Sequence, residues 1–318
     1  SGIDSTLRQQ YGTVRDFLIG AEFVDGKGTL CKSGGRVVKN VTGYDLHKLL
    51  VGSLGTLGII TRLNFRTFPM PQTYGGFAAC FTGAEKALRF KLSVEAKGLP
   101  LANMEVLNPE AVQLTSQLLE KGNKPLPLND ERGPWHVYIS YEGHEVVVHR
   151  VTRELEKLAS EGSAVQGGHL AAATDAQLGG VLREAFDWLR WSAPVVALFR
   201  IALPQTPTAD FAGLQAIADA AKLRSALLLR AGGVIYFAVL AEQEQLSSID
   251  ALSKVAEEVF CIVAAKAGSA VLLHAPQTLK QRINVWGAKR VDQAMMERVK
   301  RAFDPNCIFA PGRFVGGL

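Results

Sequence analysis

The sequence lacks the cysteine and histidine patterns of metal-binding and iron–sulfur proteins. It contains four cysteines, Cys31, Cys80, Cys261 and Cys307. None of them forms a CxxC pair, so the chain has no iron–sulfur or structural zinc pattern of its own. His144 and His149 are five residues apart, which places their rings about 140° apart around a helix. We therefore expect no metal site, and we expect free thiols in a reducing compartment.

Long apolar runs and a strong charge of one sign are also absent. The apolar stretch Leu49–Ile60 is interrupted by glycines and is shorter than a membrane span, which needs about 20 residues. The net charge is only +5, which argues against a dedicated nucleic-acid-binding protein. The chain starts at Ser1 without a basic-then-apolar segment, so no signal peptide is visible. We expect a cytoplasmic protein that associates with a membrane, if at all, through partner subunits.

Neither of the common nucleotide-binding glycine motifs occurs, although the chain contains 31 glycines. Because GxGxxG and GxxxxGK(S/T) are both missing, a Rossmann enzyme that uses NAD is disfavoured. Instead, the segment Lys39–Ile60 carries Gly43, Gly52, Gly55 and Gly58, the last three in a GxxGxxG spacing. Glycine allows positive φ angles and a close approach of ligands, and successive amide N–H groups can hold a phosphate. The spacing fits either a phosphate-binding loop or a tight turn between buried elements.

Proline and glycine divide the chain into three segments, residues 1–72, 73–275 and 276–318. The first segment predicts strands at Phe17–Phe23 and Ile59–Phe68. The second of these strands is predicted to be half-buried, because its apolar and polar residues alternate. Asp25–Gly28 predicts a hairpin turn after the first strand.

The middle segment predicts two βαββαβ units in tandem, at about 73–170 and 190–275. Their predicted strands are Gly75–Phe81, Leu101–Leu107, His136–Tyr141, one near Ala164, Val195–Leu203, Ser225–Arg230, Val234–Ala241 and Ala270–His274. Their predicted helices are Ala84–Lys97, Glu145–Ser160, Ala209–Lys222 and Ser247–Ala267. Residues 121–134, rich in proline and charge, predict a loop. This order favours an α+β fold with an antiparallel sheet and helices on one face.

The last segment predicts one amphipathic helix, Val291–Phe303, that ends before Asp304 and Pro305. Its inward face is predicted to carry Val291, Met295, Val299 and Ala302. A short helix and a turn cannot fold alone, so this tail must dock on one of the other two segments.

Four stretches of sequence resemble a known family. They are SGIDSTLRQQYGTVRDFLIG, KNVTGYDLHKLLVGSLGTLGIITRLNFRTFPMP, INVWGAKR and MMERVKRAFDPNCIFAPGRFVGGL. Together they are similar to the vanillyl-alcohol-oxidase (PCMH) type of FAD-binding flavoprotein, and within it to the FAD-binding subunits of bacterial glycolate oxidases. The resemblance covers residues 1–72 and the tail, while the middle is similar only in its predicted fold.

The resemblance implies FAD as the cofactor and assigns a role to each segment. Residues 1–72 correspond to the second half of a PCMH-type FAD-binding domain, 73–275 to a substrate or cap domain, and 276–318 to a tail docking back on the FAD-binding domain. The first half of that domain is absent, so we expect the chain alone to bind FAD poorly. The residues carried over as cofactor-binding are Ser1, Gly2, Tyr11, Gly12, Thr42, Gly43, Tyr44, Asp45, Gly52, Gly55, Thr56, Gly58, Ile59 and Ile60.

Besides the missing half-domain, two positions depart from the family. Leu54 stands where many members carry Glu, and Ala310 stands where the family usually has Asn. The HxGDGN metal motif of the large catalytic subunits does not occur. A flavin that oxidises a 2-hydroxy acid needs a proton acceptor and a cation for the carboxylate. The weak candidates for these roles are His274, Arg200, Arg230 and Arg313.

Two functions stay open at this point. The first is an FAD-binding subunit of a 2-hydroxy-acid (glycolate-type) oxidase or dehydrogenase complex. It would pass electrons to an iron–sulfur subunit and work beside a large catalytic flavoprotein subunit. The second is a non-catalytic structural subunit of such a complex with a degenerate flavin site. The missing HxGDGN motif and the departures at Leu54 and Ala310 favour it.

Overall fold

The computed structural model describes eight stretches of the chain. These are residues 6–37, 43–121, 133–170, 195–204, 208–230, 232–241, 249–288 and 291–318. Backbone contacts divide the chain into two compact units, one formed by Ser1–Met70 with Ala288–Leu318 and the other by Pro71–Gly287. Residues 276–287, which the sequence assigns to the tail, therefore cluster with the second unit.

The first unit is built on a small antiparallel sheet with strand order β2-β1-β3. Its elements are α1 (Arg8–Tyr11), α2 (Val14–Phe17), β1 (Leu18–Val24), β2 (Leu30–Gly34), α3 (Leu46–Leu50) and β3 (Ile59–Phe65). The predicted hairpin joins β1 to β2. Its turn is held by Asp25, whose Oδ1 accepts the N–H groups of Lys27 at 2.9 Å and Thr29 at 2.8 Å.

The strand β3 forms where the sequence predicts it, but its side chains are not half-buried. Every residue of β3 except Asn64 is exposed, including the apolar Leu63 and Phe65. The small core of this unit, centred on Phe23, lies on the face of β1 that packs against α3 and the C-terminal tail. Alternation in a sequence shows which side chains are apolar, and it does not show what covers them.

The second unit contains one antiparallel sheet with strand order β11-β8-β10-β9-β5-β6-β4-β7. Its strands are β4 (Thr73–Phe81), β5 (Asn103–Leu107), β6 (Trp135–Gly143), β7 (Gln166–Leu170), β8 (Val195–Ala202), β9 (Arg224–Arg230), β10 (Val234–Leu240) and β11 (Ser269–His274). Its helices are α4 (Ala84–Ala96), α5 (Pro109–Lys121), α6 (Glu145–Glu161), α7 (Thr208–Ala220), α8 (Ile249–Ala265) and α9 (Gln277–Lys280).

The strand order shows the duplication directly. Within each half, the fourth strand pairs with the first, the first with the third and the third with the second. The two halves join through their second strands, because β5 pairs with β9. The prediction of a duplicated antiparallel α+β unit is therefore confirmed, and the helices α4, α6, α7 and α8 share one large core.

The helix α5 was not predicted, and it packs on the opposite face of the sheet. Ala111, Val112 and Leu114 belong to a second apolar cluster there. The side chain of Asn108 caps the helix, since its Oδ1 accepts the N–H of Ala111 at 3.0 Å. An Asn followed by Pro109 in the first turn is a helix-start signal that the sequence does contain.

The C-terminal segment of the first unit consists of α10 (Gln293–Phe303) and a short 3-10 turn (Val315–Gly317). The predicted inward face of this helix is wrong: Val291, Met295 and Ala302 are exposed, and only Val299 packs against the small core. The buried side chains are instead Gln293 and Lys300. Apolar periodicity does not predict a buried lysine, because the lysine is buried through hydrogen bonds that compensate for its removal from water.

Candidate functional site

The glycine-rich segment after α3 forms a tight turn in the first unit. The N–H of Ser53 donates to the carbonyl oxygen of Leu50 at 3.2 Å, and that of Thr56 donates to the carbonyl oxygen of Ser53 at 3.0 Å. Gly52 and Gly55 have φ angles of 82° and 79°. Leu54 between them also has a positive φ, 53°. The positive φ angles are by themselves a sufficient reason for glycine at positions 52 and 55, with or without a ligand.

Gly55 and Gly58 have different surroundings within this turn. A Cβ added to Gly58 would lie 2.7 Å from the carbonyl oxygen of Val24, so this glycine allows the turn to pack on β1. A Cβ added to Gly55 would meet no atom within 4 Å, and the residue is exposed. The backbone at Gly55 is thus open to an approaching ligand, whereas the space beside Gly58 is filled by β1.

Residues on both sides of the turn also fit a planar, phosphate-bearing cofactor. Ile59 and Ile60 follow the turn and are 58% and 44% exposed, which leaves apolar surface that an aromatic ring can cover. Gly43 has a φ of 75° and open space around it, and the neighbouring Tyr44 is exposed. Because exposed apolar surface and open glycine backbone occur together, the residues present fit FAD.

The other predicted cofactor residues lie next to α3, at the end of α1, or outside the described ranges. Tyr44 and Asp45 precede α3, and the Gly52 turn follows it, so the two segments stand at opposite ends of a short helix. Tyr11 packs edge-on against Phe68, with a distance of 4.8 Å between ring centroids, and Gly12 ends α1 with a φ of 82°. Ser1, Gly2 and Thr42 lie outside the described residues. The role of each of these residues stays a prediction.

A hydrogen-bond network that the sequence analysis missed fixes α3 to the sheet. The Oγ of Ser33 accepts the backbone N–H of His47 at 3.1 Å and lies 3.0 Å from its Nδ1. The Nζ of Lys48 donates to the carbonyl oxygens of Arg15 and Leu18. These bonds hold α3, which lies between the two predicted cofactor segments, on α2, β1 and β2. The available signal was a histidine and a lysine directly after the TGYDL motif.

His47 should make the stability of the first unit depend on pH. Burial lowers the pKa of this imidazole; the carboxylate of Asp45 opposes the shift and Lys48 adds to it. The unfolded chain therefore takes up the proton first, and stability present above about pH 6.5 is lost as the pH falls through the folded-state pKa.

We expect the free energy of unfolding of the wild type to be lower at pH 5.5 than at pH 7.5. In His47→Gln the difference between the two pH values should be smaller, because the titrating imidazole is gone. Urea unfolding at both pH values measures it. An equal loss in the wild type and the variant would contradict the assignment to His47.

The three candidate catalytic residues of the second unit lie on one face of its sheet. Arg200 stands opposite Tyr236, Arg230 stands opposite Glu105, and His274 ends β11 opposite Leu198. This is the face that carries α5, away from the four helices of the large core. The structure therefore places these candidates on the same face of the sheet, on three different strands.

Arg230 and Arg200 differ in the ion-pair and hydrogen-bond partners of their guanidinium groups. The Nε of Arg230 donates to Oε1 of Glu105 at 2.7 Å, with exposures of 1% and 0% for the two side chains. Its guanidinium also lies over the ring of Tyr236, 5.0 Å from the centroid. Arg200 is only partly buried, and its Nε has no hydrogen-bond partner among the described residues. Arg200 is therefore the better candidate for binding an anionic ligand.

The fourth candidate, Arg313, lies exposed in the C-terminal segment of the first unit, and its N–H donates to the carbonyl oxygen of Ala310 at 3.2 Å. Ala310 itself has a φ of 42°. Asn, the residue that the resemblance leads one to expect there, tolerates this left-handed conformation better than Ala does. The departure at Ala310 thus costs backbone energy.

No three or more His, Cys, Asp and Glu side chains in the described ranges are grouped so that they could hold a metal ion. No helix in the same ranges is long and apolar enough to cross a membrane.

Comparison with solved structures defines the class of fold. A crystal structure of p-cresol methylhydroxylase with substrate bound superimposes with a TM-score of 0.68 at 14% sequence identity, over 93% of this chain and 64% of that one. The chain therefore has the fold of PCMH-type flavoproteins. Residues 76–314 match the family model for FAD linked oxidases, C-terminal domain. The chain belongs to this family of FAD-linked oxidoreductases, and FAD is the cofactor that the family indicates.

Two glycolate oxidase subunits are among the proteins that are similar in sequence. Glycolate oxidase subunit GlcD of Bacillus subtilis (strain 168) is 25% identical over 309 residues, which is 96% of this chain and 64% of that protein. Glycolate oxidase subunit GlcE of Escherichia coli (strain K12) is 42% identical over 71 residues, 22% of this chain and 20% of that protein. The chain thus spans less than two thirds of the length of either relative.

Proposed function

We propose that this chain is the FAD-binding subunit of a 2-hydroxy-acid oxidase or dehydrogenase complex of the glycolate type. The observation that supports it most is the turn at Gly52–Ile60, where an open glycine backbone lies beside exposed isoleucines. Similarity to two proteins named as glycolate oxidase subunits supports the substrate class.

In this proposal, the cofactor is held by the residues around α3. The backbone at Gly43 and Gly55 would lie against its phosphate-bearing part, since neither position has a side chain in the way. Ile59 and Ile60 would cover an aromatic ring. When bound, FAD supplies the acceptor for the two electrons that leave a hydroxy acid as it becomes a keto acid.

The substrate-binding groups are proposed to lie on the face of the second unit's sheet that carries α5. Arg200 would bind the carboxylate, because its guanidinium retains an N–H without a partner in the described part of the chain. Arg230 would be a less effective cation, since Glu105 already balances its charge. His274 is the proposed acceptor of the hydroxyl proton, being an imidazole on the same face.

The electrons are proposed to leave through partner subunits. The chain has no CxxC pair, so an iron–sulfur partner would have to receive them, with a large catalytic flavoprotein subunit in the same complex. The names of both relatives describe subunits of a glycolate oxidase, which supports an assembly of this kind.

The flavin content of the protein, purified together with its natural complex, tests this function. We expect stoichiometric FAD on this chain and loss of oxidised-flavin absorbance after anaerobic addition of glycolate or D-lactate. Acetate, which has the carboxylate without the hydroxyl, serves as the control and should leave the spectrum unchanged. An active complex in which this chain carries no flavin would instead support the structural-subunit alternative.

A further inference from the structure

We propose that Lys300 is a positioning residue for the cofactor turn, acting from the C-terminal helix through the carbonyl group of Thr56. This inference rests on the proposed role of the Gly52–Ile60 turn in binding FAD. It adds a residue that lies far away in the sequence and that no glycine motif contains.

Lys300 lies almost entirely inside the first unit, with 4% of its surface exposed. Its Nζ donates to the carbonyl oxygen of Thr56 at 2.7 Å, to Oδ2 of Asp304 at 2.6 Å and to the carbonyl oxygen of Phe309 at 2.9 Å. A lysine ammonium has three N–H donors, so these three bonds use all of them. This arrangement compensates for the high cost of removing a charged amine from water.

Asp304 completes the arrangement and fixes where Lys300 points. Its Oδ1 accepts the N–H of Ile308 at 3.1 Å and its Oδ2 accepts the N–H of Phe309 at 2.8 Å. Burial alone would raise the pKa of this carboxyl group, but the hydrogen bonds from Lys300 and from the two N–H groups hold the pKa below its usual value. Asp304 is therefore ionised at neutral pH.

The C-terminal helix is itself anchored to the hairpin of the first unit. The N–H of Gly26 donates to the carbonyl oxygen of Phe303 at 2.8 Å. A Cβ on Gly26 would lie 2.5 Å from Oδ1 of Asp304, so the hairpin and the helix end are in direct contact. The rings of Phe23 and Phe303 pack 5.8 Å apart between centroids. The position of Lys300 is thus set by the sheet.

The atom that Lys300 reaches explains why its role is more than structural. Thr56 directly follows Gly55, and its own Oγ1 makes a local hydrogen bond to the carbonyl oxygen of Ser53 at 2.7 Å. Glycines on both sides leave such a turn conformationally free. A bond from a buried amine to Thr56 restricts that freedom before the cofactor binds, and preorganisation of this kind raises affinity.

Lys300→Met tests the proposal, with Arg301→Met as a matched control, because Arg301 is the exposed neighbour on the same helix. FAD titration of the flavin-stripped complex that contains this chain should show about tenfold weaker binding or worse for Lys300→Met, and unchanged binding for Arg301→Met. The visible circular dichroism of bound FAD should also change in Lys300→Met alone, since it reports the position of the flavin. If Lys300→Met does not fold, Asp304→Asn should show the same change in smaller degree.

Leu50→Ala serves as the control for a general loss of stability, because it removes a buried side chain from the same small core. If Lys300→Met weakens FAD binding no more than Leu50→Ala at equal loss of stability, Lys300 has only a structural role and the proposal is wrong. Gly55→Val distinguishes a wrong role for Lys300 from a wrong assignment of the turn as the FAD site. Unaltered FAD binding in Gly55→Val would refute the turn as a cofactor site, whatever Lys300 does.

Discussion

Replacement of Glu105 by alanine is expected to lower the free energy of unfolding of the second unit by about 3–5 kcal/mol. The substitution leaves the guanidinium of Arg230 in the protein interior without its carboxylate at 2.7 Å. The pair also lies on the seam between the two halves of the sheet, where β5 and β9 pair over only three residues. The change should therefore weaken the contact that joins the halves.

Two comparisons identify the cause of this effect. Glu105→Leu combined with Arg230→Met removes both charges, so most of the lost stability should return. Glu110→Ala breaks a partly exposed pair with Arg224 on the same strand and should cost less than about 1 kcal/mol. Denaturant unfolding measures all three variants. A cost for Glu105→Ala as small as that for Glu110→Ala would show that the buried pair is dispensable.

Replacement of Gly34 by alanine is expected to lower the free energy of unfolding of the first unit by about 2–5 kcal/mol. Gly34 has a φ of 67°, and a Cβ at this position would lie 2.2 Å from the carbonyl oxygen of Ile19 and 2.9 Å from Cε1 of His47. An added methyl group would therefore force β2 away from β1 and disturb the packing of α3.

The neighbouring Gly35 provides the control for this change. It has no positive φ, and a Cβ there would meet no atom within 4 Å. Gly35→Ala should therefore leave the stability within about 0.5 kcal/mol of the wild type. Thermal and urea unfolding of the two single variants measure the difference. Similar stabilities for both variants would contradict the packing described around Gly34.

The second unit was predictable because its signals are periodic. The helix face with Val148, Val151 and Leu155 lies buried as its spacing predicts, and the strand runs alternate with helices in the same order twice. A repeat of this kind constrains the topology, since each half must bury the same apolar faces. The helix α5 was not predicted, because the helix-start signal at Asn108 and Pro109 was not taken into account.

The details of the first unit were less predictable, because polar contacts and tertiary space decide them. The sequence places four glycines in one segment, but only the surrounding atoms distinguish Gly55 with open space from Gly58 against Val24. Likewise, the inward face of α10 depends on Lys300, whose carbonyl and carboxylate partners lie up to 244 positions away. Hydrophobic periodicity contains no information about such partners.

The central claim is that the turn at Gly55 binds FAD, and the FAD dissociation constant of Gly55→Val tests it most directly. Gly28→Val is the matched control, because Gly28 has the same φ of 79° and equally open surroundings but lies in the β1–β2 hairpin. Both variants carry the same backbone strain, so both should lose similar stability. We predict FAD binding at least about tenfold weaker, equal to about 1.4 kcal/mol, for Gly55→Val only. Equal FAD affinities for the two variants would contradict the account.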